Sequence, residues 1–315
     1  MAISGIYLPS VYAPKIYYYG HDASAPTELV TGLDVPKCIH VSDTHDKIFF
    51  TDFRVLKKCD LDGSNVEMIV EESDMPSPNT YPNLYGVGVA EASGLVFFAD
   101  SYYDRIMRCD TDGGDIQVMW SGSGTGGFGG QFIMKVDQVN EHVYWTTRKS
   151  PGHPGAADYS INRMDYDGGN HVRVAHDTSM RFFGLALDVD NSKVYWTDYI
   201  NGKIESSGIG GGTVTEVMDV GVGAVGLDLD IANSKVYWTN AVDHTVMCDD
   251  LAGGNVEVLA SGAADYQEIW DIWFGSRAVD PGPPVKPQRP YKIKNRYRQF
   301  CSRRDDCYYR GVGHC

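Results

Sequence analysis

The segment KVYWTD at residues 193–198 decides the fold, because similar segments recur along the chain. The others are KIFFTD at 47–52, LVFFAD at 95–100, HVYWTT at 142–147, KVYWTN at 235–240 and, more weakly, KIYYYG at 15–20. Each is rich in β-branched and aromatic residues and ends in a polar turn, which predicts a β-strand. From Phe49 onward the aromatic pairs recur at intervals of 48, 47, 51 and 42 residues. Such a period fits the four-stranded blade of a propeller.

The remaining strands of each blade follow from the same comparison. An apolar strand precedes each aromatic one by roughly 8–12 residues, at 38–41, 86–89, 133–136, 184–187 and 226–229. Turns such as TDGGD at 111–115 supply the positive φ that tight hairpins require. The apolar segment 269–274 lacks an aromatic successor, and 15–20 lacks a predecessor, so we expect these two segments to pair with each other. We therefore predict an all-β, six-bladed β-propeller, closed by outer strands from the N-terminus and an innermost strand from the C-terminus.

Length and composition agree with a large folded domain. The chain has 315 residues, of which 43% are hydrophobic and 22% are charged. No run approaches the roughly 18 apolar residues of a membrane span, and no signal peptide is visible at the start. We assign residues 1–278 to the propeller and 279–315 to a basic, Pro- and Cys-rich tail.

Charge is unevenly distributed along the chain. The net charge is −15, but the residues from Lys286 onward hold nine Lys or Arg and two Asp, a net +7 that leaves −22 for the rest. An acidic body argues against nucleic acid and favours cationic partners or metal ions. Of seven cysteines, Cys301, Cys307 and Cys315 crowd the tail with the spacing of a small disulfide-rich module, which favours secretion.

The repeat resembles the YWTD propeller of the LDL receptor, the Wnt co-receptors and nidogen, over about residues 10–275. The resemblance implies that the motif is structural, with aromatic residues packed between blades and Asp52, Asp100 and Asp198 bonded to backbone around the ring. Thr147 and Asn240 replace this Asp, so we expect weaker linkage in their two blades. The resemblance also implies that relatives bind proteins or peptides on one face.

That face is formed by the loops entering the innermost strands and the loops leaving the aromatic strands. Its long Pro- and Gly-rich loops, at 73–84, 121–132 and 148–159, are typical of binding segments on a rigid scaffold. We predict ligand contacts from residues at the rim of the channel. These candidates are Tyr85, Phe132, Arg148, Arg181, Phe182 and Glu268.

A second candidate site lies on the innermost strands. Aligned as five-residue segments beginning at 38, 86, 133, 184, 226 and 269, they carry ionisable residues at the third position in four of six cases. These residues are His40, Lys135, Asp228 and Asp271. Alternation along a strand directs this position towards the channel. Three readings remain open: a divalent cation held by His40, Asp228 and Asp271, an acid–base catalytic group of all four, or an internal ion pair with His40 hydrogen-bonded.

The sequence therefore supports two functions. The favoured function is that of an extracellular-type module that holds a protein or peptide on its loop face. Substitutions at Phe182 or Arg148 should then abolish binding. The alternative is an enzyme, or a small-molecule or metal-binding protein, that uses the channel residues and depends on Asp271.

Overall fold

The computed structural model describes residues 5–20, 26–76, 81–122, 133–148, 159–177, 181–261, 269 and 271–275. They form six four-stranded antiparallel sheets, which confirms the six-bladed β-propeller. The tail from 279 onward, the segments 123–132 and 149–158, and Glu268 lie outside the described residues.

Five blades are continuous in sequence. Blade 1 contains β4 (Pro36–Ser42), β5 (Lys47–Asp52), β6 (Val55–Asp60) and β7 (Glu67–Val70). Blade 2 contains β8 (Leu84–Ala90), β9 (Leu95–Asp100), β10 (Arg105–Asp110) and β11 (Gln117–Ser121). Blade 3 contains β12 (Met134–Asp137), β13 (His142–Arg148), β14 (Tyr159–Asp165) and β15 (Val172–Asp177). Blade 4 contains β16 (Phe182–Asp188), β17 (Lys193–Asp198), β18 (Lys203–Gly208) and β19 (Thr215–Asp219). Blade 5 contains β20 (Ala224–Asp230), β21 (Lys235–Asn240), β22 (Thr245–Asp250) and β23 (Glu257–Ser261). The described residues also include a single 3-10 turn, Glu72–Asp74.

Blade 6 closes the ring with strands from both ends of the chain. It contains β1 (Gly5–Ser10), β2 (Lys15–Gly20), β3 (Thr27–Val30) and β24 (Trp273–Gly275), in the order β24-β1-β2-β3. The predicted closure is confirmed, but pairing the C-terminal strand with 15–20 was wrong. Trp273 is in register with Tyr7 of β1, and 15–20 forms the next strand outward. The error arose because GIYLPS contains one aromatic residue, whereas KIYYYG contains three in a row and so looks more like the motif.

The threonine of the motif links neighbouring blades. In blade 4, Thr197 Oγ1 accepts from Gly184 N at 2.8 Å, where β16 is irregular, and donates to Val225 O of blade 5 at 2.7 Å. In blade 5, Thr239 Oγ1 accepts from Gly226 N and donates to the carbonyl of Ile269 at 3.0 Å. The hydroxyl thus satisfies a buried amide in its own blade and fixes the next one.

The acidic residue of the motif acts within its own blade. Asp52 accepts from the amides of Asp34 and Val35, in the loop that enters β4. Asp198 accepts from the amide of Ile200 at 3.0 Å, in the turn that follows it. The expected bonds to backbone are present, but those at these residues do not cross between blades.

Asn240 keeps this role, so the expectation of weaker linkage in blade 5 was wrong. Its Oδ1 accepts from the amides of Val242 and Asp243, and its Nδ2 donates to Val222 O. A carboxamide has both an acceptor and a donor, so it holds the turn and the entering loop together. Thr147 instead bonds to Ser160 Oγ at 2.6 Å on the next strand of blade 3.

The aromatic pairs fill the space between blades. Trp145, Trp196 and Trp238 are at most 2% exposed.

The Asp-Gly turns also pack tightly against the neighbouring blade. Gly113 has a φ of 90°, and a Cβ there would lie 1.8 Å from Ile69 O of the preceding blade. Only glycine meets both requirements.

Candidate functional site

The first candidate site lies on the innermost strands. His40, Lys135 and Asp228 occupy equivalent positions, each paired with the first aromatic residue of the adjacent strand. In blade 6 this position belongs to Trp273, which pairs with Tyr7, so the sequence alignment was displaced by two residues there. Since side chains alternate with a period of two, a displacement of two leaves Asp271 on the same side of the chain.

Lys135 brings the two carboxylates together. Its Nζ lies 3.8 Å from Asp228 Oδ1 and 3.9 Å from Asp271 Oδ1, and it donates to Ile272 O at 3.4 Å. It also lies 4.5 Å from the centre of the Trp273 ring. Blade 3, which carries Lys135, is opposite blade 6 in a ring of six, so this side chain reaches across the channel.

The two carboxylates also accept bonds from backbone amides. Asp271 Oδ2 accepts from Ile39 N at 3.1 Å, and Asp228 Oδ2 accepts from Phe274 N at 2.8 Å. Burial raises the pKa of Asp271 to about 6, although Lys135 acts in the opposite direction. Burial likewise raises the pKa of Asp228. These channel carboxyls are therefore harder to ionise than exposed ones.

His40 belongs to a different group of side chains. Its Nε2 lies 3.2 Å from Glu91 Oε1, and its Nδ1 accepts from Val89 N at 3.4 Å. These contacts assign the proton of a neutral imidazole to Nε2. Burial lowers the pKa of His40, although the hydrogen bond to Glu91 acts in the opposite direction. The His40 and Trp273 ring centres are 4.1 Å apart, so Trp273 contacts both His40 and Lys135.

Glu91 is the centre of this second group, which the sequence analysis missed. Its Oε2 accepts from Ser42 Oγ at 2.6 Å and lies 3.2 Å from His45 Nδ1. Burial would raise the pKa of Glu91, but hydrogen bonds from His40 and Ser42 lower it to about 2. Glu91 follows β8 directly in a hairpin turn, and no repeated pattern in the sequence identifies it.

The positions of the four channel side chains can be compared with the three hypotheses for this site: a metal site, an acid–base catalytic group or an internal ion pair. The two carboxylates converge on the ammonium of Lys135, which takes the place that a cation would occupy between them. His40 is turned to Glu91, with both ring nitrogens engaged. In the part of the chain that the structure describes, no group of three or more His, Cys, Asp and Glu has the arrangement of a metal site. The arrangement is that of an ion triad whose members are each hydrogen-bonded to backbone groups, with a neutral imidazole nearby.

The second candidate site is the loop face, defined as the edge bearing the loops that enter the innermost strands and the turns after the second strands. Tyr85 is partly exposed, with its ring 3.7 Å from Lys37 Nζ. Arg181 Nε donates to Tyr159 Oη at 3.2 Å. Phe182 is 4% exposed and packs against Trp196, so its ring belongs to the core.

The three remaining predicted ligand contacts are Phe132, Glu268 and Arg148. Phe132 and Glu268 lie outside the described residues. Arg148 ends β13 on the loop-face side, and its backbone alone is described.

An aromatic patch on blades 1 and 2 occupies part of this face. Tyr81 comes from the predicted binding loop 73–84, whereas the other members of the patch were not predicted. We define it as Phe53, Arg54, Tyr81, Tyr102 and Tyr103. The Tyr81 and Tyr102 ring centres are 6.4 Å apart, and those of Tyr102 and Tyr103 are 4.9 Å apart. The Arg54 guanidinium lies 4.9 Å from the Phe53 ring and 5.1 Å from the Tyr81 ring. The turn sequences TDFRV at 51–55 and DSYYD at 100–104 carry the signal, since aromatic residues are unusual in two- to four-residue turns.

An aliphatic patch lies on the same face in blades 4 and 5. We define it as Ile200, Val222 and Val242, which are 43%, 56% and 54% exposed. On the opposite edge, the turns between the first two and the last two strands are dominated by Asp, Asn and Gly. Exposed valines also lie on that edge, at Val139, Val214 and Val256, which are 75%, 43% and 59% exposed. Aliphatic exposure is therefore common to both ends of the ring, and the aromatic patch is the feature that distinguishes the loop face.

The cysteines and hydrophobic segments add two findings. Cys38, Cys59, Cys109 and Cys248 are buried free thiols, and burial raises the pKa of Cys59 and Cys109. The three cysteines of the tail lie outside the described residues. The described residues contain no helix long and apolar enough to cross a membrane.

Comparisons with known proteins agree with this architecture. No family model matches the chain. A vitellogenin receptor from Solenopsis invicta is 25% identical over 196 residues, which cover 59% of this chain and 9% of the receptor. The chain thus matches only a small part of that relative.

Solved structures provide a wider match. The crystal structure of a nidogen/laminin complex contains a chain with a TM-score of 0.69 and 16% identity, over 87% of this chain and 100% of that one. A structure assigned as TolB from Agrobacterium tumefaciens gives a TM-score of 0.59 and 15% identity, over 87% and 97%. The resemblance to the nidogen propeller predicted from the motif is confirmed at the level of the fold.

Proposed function

We propose that the chain is an extracellular-type binding module whose loop face holds a protein or peptide. The observation that carries the proposal is the aromatic patch on that face, because exposed aliphatic side chains occur on both edges of the ring. Tyr81 is 40% exposed, and three aliphatic side chains more than 40% exposed stand across the ring. A cluster of partly exposed aromatic side chains on a rigid face is typical of an interaction surface, and Tyr is enriched at the centres of such surfaces.

The similar proteins support the same conclusion. The nidogen propeller was solved in a complex with laminin, so this fold carries protein binding in that molecule. The match to part of a vitellogenin receptor also favours a binding role and an extracellular location.

Charge supports a cationic partner. Glu72 pairs with Arg54 of the aromatic patch, its neighbours in sequence Glu71 and Asp74 are exposed, and the chain before residue 286 is strongly acidic. A basic peptide gains from this field at low ionic strength, and added salt screens the attraction.

The test uses peptides selected from a phage-displayed random library on the immobilised full chain. The most enriched peptide is synthesised and titrated by calorimetry into wild type and a Tyr81→Ala/Tyr102→Ala variant. We expect at least about tenfold weaker binding to the variant, since loss of an aromatic contact at an interface centre costs more than about 1 kcal/mol. We also expect the enriched peptides to be basic and their affinity to fall with salt.

The matched control is Val139→Ala, which removes a 75% exposed side chain from the opposite edge. Its affinity should equal that of wild type. The proposal would be contradicted if the peptide bound both variants as tightly as wild type. It would also be contradicted if only the Val139→Ala variant bound the peptide more weakly.

A second candidate function is catalysis or small-molecule binding in the channel by Lys135, Asp228 and Asp271, with His40 as a further acid–base group. The raised pKa of Asp271, at about 6, favours it because a carboxyl that titrates near neutrality can exchange a proton. A single substitution distinguishes the two proposed functions. Asp271→Asn should leave peptide affinity unchanged if the loop face alone binds the peptide, whereas a channel function depends on that carboxyl.

A further inference from the structure

Lys37 is a buried amine near the loop face that neither proposed function uses. It lies near the start of β4, and only 6% of its surface is exposed. Its Nζ lies 3.7 Å from the centre of the Tyr85 ring and 5.6 Å from that of Phe53, and it donates a hydrogen bond to Asn83 Oδ1. The amine is therefore enclosed by two aromatic faces and one neutral amide.

Of the three carboxylates that act on this amine, Asp34 is exposed, and Asp52 and Asp100 are engaged elsewhere. Asp52 Oδ2 lies 2.6 Å from Lys57 Nζ, and Asp100 Oδ2 lies 2.8 Å from an Arg105 amino group. Within the described ranges, no carboxylate forms an ion pair with Lys37. A buried ammonium without a counter-ion is costly, so this environment favours the neutral amine.

The pKa of Lys37 agrees with the geometry. Burial lowers the pKa of Lys37 to about 7, although Cys38, Asp52, Asp100 and Asp34 act in the opposite direction. With this pKa, a substantial fraction of the Lys37 amine is uncharged at pH 7, and the uncharged form is a nucleophile, which an ordinary surface ammonium is not.

We propose that Lys37 is a covalent attachment site for small aldehydes, which its amine captures as an imine. The nitrogen lone pair attacks the carbonyl carbon, and the displaced π pair on oxygen takes up a proton, giving a carbinolamine. The carbinolamine then loses water as the nitrogen gives up its second proton and the C=N bond forms. Amine and aldehyde thus give imine and water, with no change of oxidation state.

The surroundings also suit the product. The Tyr85 ring that faces the Lys37 amine can stabilise a protonated imine at the same position through cation–π attraction. The small exposed fraction of Lys37 restricts access, which selects for a compact aldehyde such as acetaldehyde. The proposal does not depend on the peptide-binding function, and either can fail without the other.

The test is reductive trapping on the intact chain. The protein is incubated with acetaldehyde and sodium cyanoborohydride, which reduces the imine to a stable ethylamine, and peptide mass spectrometry measures the rate at each lysine. Lys193, which is exposed, is the internal reference. At pH 7 we expect Lys37 to react at least about tenfold faster than Lys193, and the ratio should shrink as pH approaches 10. A Lys37 that reacts no faster than Lys193 at pH 7 overturns the proposal.

An isosteric variant tests the reason for the reactivity. Asn83→Asp places a carboxylate in contact with Lys37, which favours the ammonium, so labelling at pH 7 should fall by about tenfold or more. Asn170→Asp, an exposed turn position, is the matched control and should label like wild type. Unchanged labelling in folded Asn83→Asp would contradict the proposed role of the uncharged environment.

Discussion

Lys37 and Lys135 are buried to almost the same degree, at 6% and 5% exposure, but the ring surrounds them with opposite chemistry. Lys135 lies between Asp228 and Asp271 at 3.8 and 3.9 Å and also donates to a backbone carbonyl. Lys37 has a neutral amide oxygen and two aromatic faces. One amine therefore has two counter-ions, and the other has none among the described residues.

The comparison shows that partners, rather than burial, decide what a buried lysine does. In the channel, the ammonium compensates two carboxylates and holds blades 3, 5 and 6 together. On the loop face, the carboxylates that might have served Lys37 are bonded to Lys57 and Arg105 instead. The first environment stabilises charge and the second disfavours it.

The largest effect that sharpens this contrast is expected from Lys135→Met. The substitution leaves two buried carboxylates facing each other without a cation, and breaking such a group costs about 3–5 kcal/mol of stability. Chemical denaturation at pH 7 measures the loss. Lowering the pH to 5 should recover part of it, because protonation removes the repulsion. Lys193→Met, at an exposed position, is the control, and an equal loss there would remove the structural role assigned to Lys135.

The next effect concerns pH. The pKa of Asp271 is raised to about 6 in the folded chain, so the folded state binds this proton more tightly than the unfolded state. The contribution of Asp271 to stability is therefore full below about pH 4 and is lost as pH rises through about 6. Subtracting the unfolding free energy of Asp271→Asn from that of wild type, across pH 3–7, should show a fall of roughly 2–3 kcal/mol. If the difference instead rises with pH, the attraction of Lys135 lowers the pKa of Asp271 by more than burial raises it.

The smallest effect is expected from Lys37→Met. Replacing a buried amine that has no counter-ion among the described residues by an apolar side chain of similar length should be neutral or stabilising, by up to about 2 kcal/mol. Denaturation at pH 7 compares this variant with Lys135→Met. A loss as large as that of Lys135→Met would erase the contrast between the two lysines.

Much of the fold was predictable from local pattern. The aromatic pairs, the Asp-Gly turns and the inner apolar strands each follow from rules that act within a few residues, such as the two-residue alternation around Phe49. The closing blade was harder, because β1 and β24 are far apart in sequence and β1 lacks the full motif. The pairing of Tyr7 with Trp273 therefore could not be read from the repeat.

The sites were less predictable than the fold. Alternation placed His40, Lys135, Asp228 and Asp271 on one side of their strands, and three of them meet. Whether His40 would join them depended on Glu91, which comes from a hairpin turn of another blade. Phe182 was expected at the rim but packs against Trp196, since neighbouring residues of an entering loop can turn either inward or outward.

By itself, the sequence determined the number of blades, the strands of five of them and the excess of negative charge, because these depend on local composition and a regular period. Tertiary structure alone decided which side chains meet in the channel and on the loop face. Contacts such as Lys135 with Asp271, Lys37 with Tyr85 and His40 with Glu91 join different blades. Their distances depend on how the blades close around the channel and on which carboxylates are already paired, and no short stretch of sequence records either.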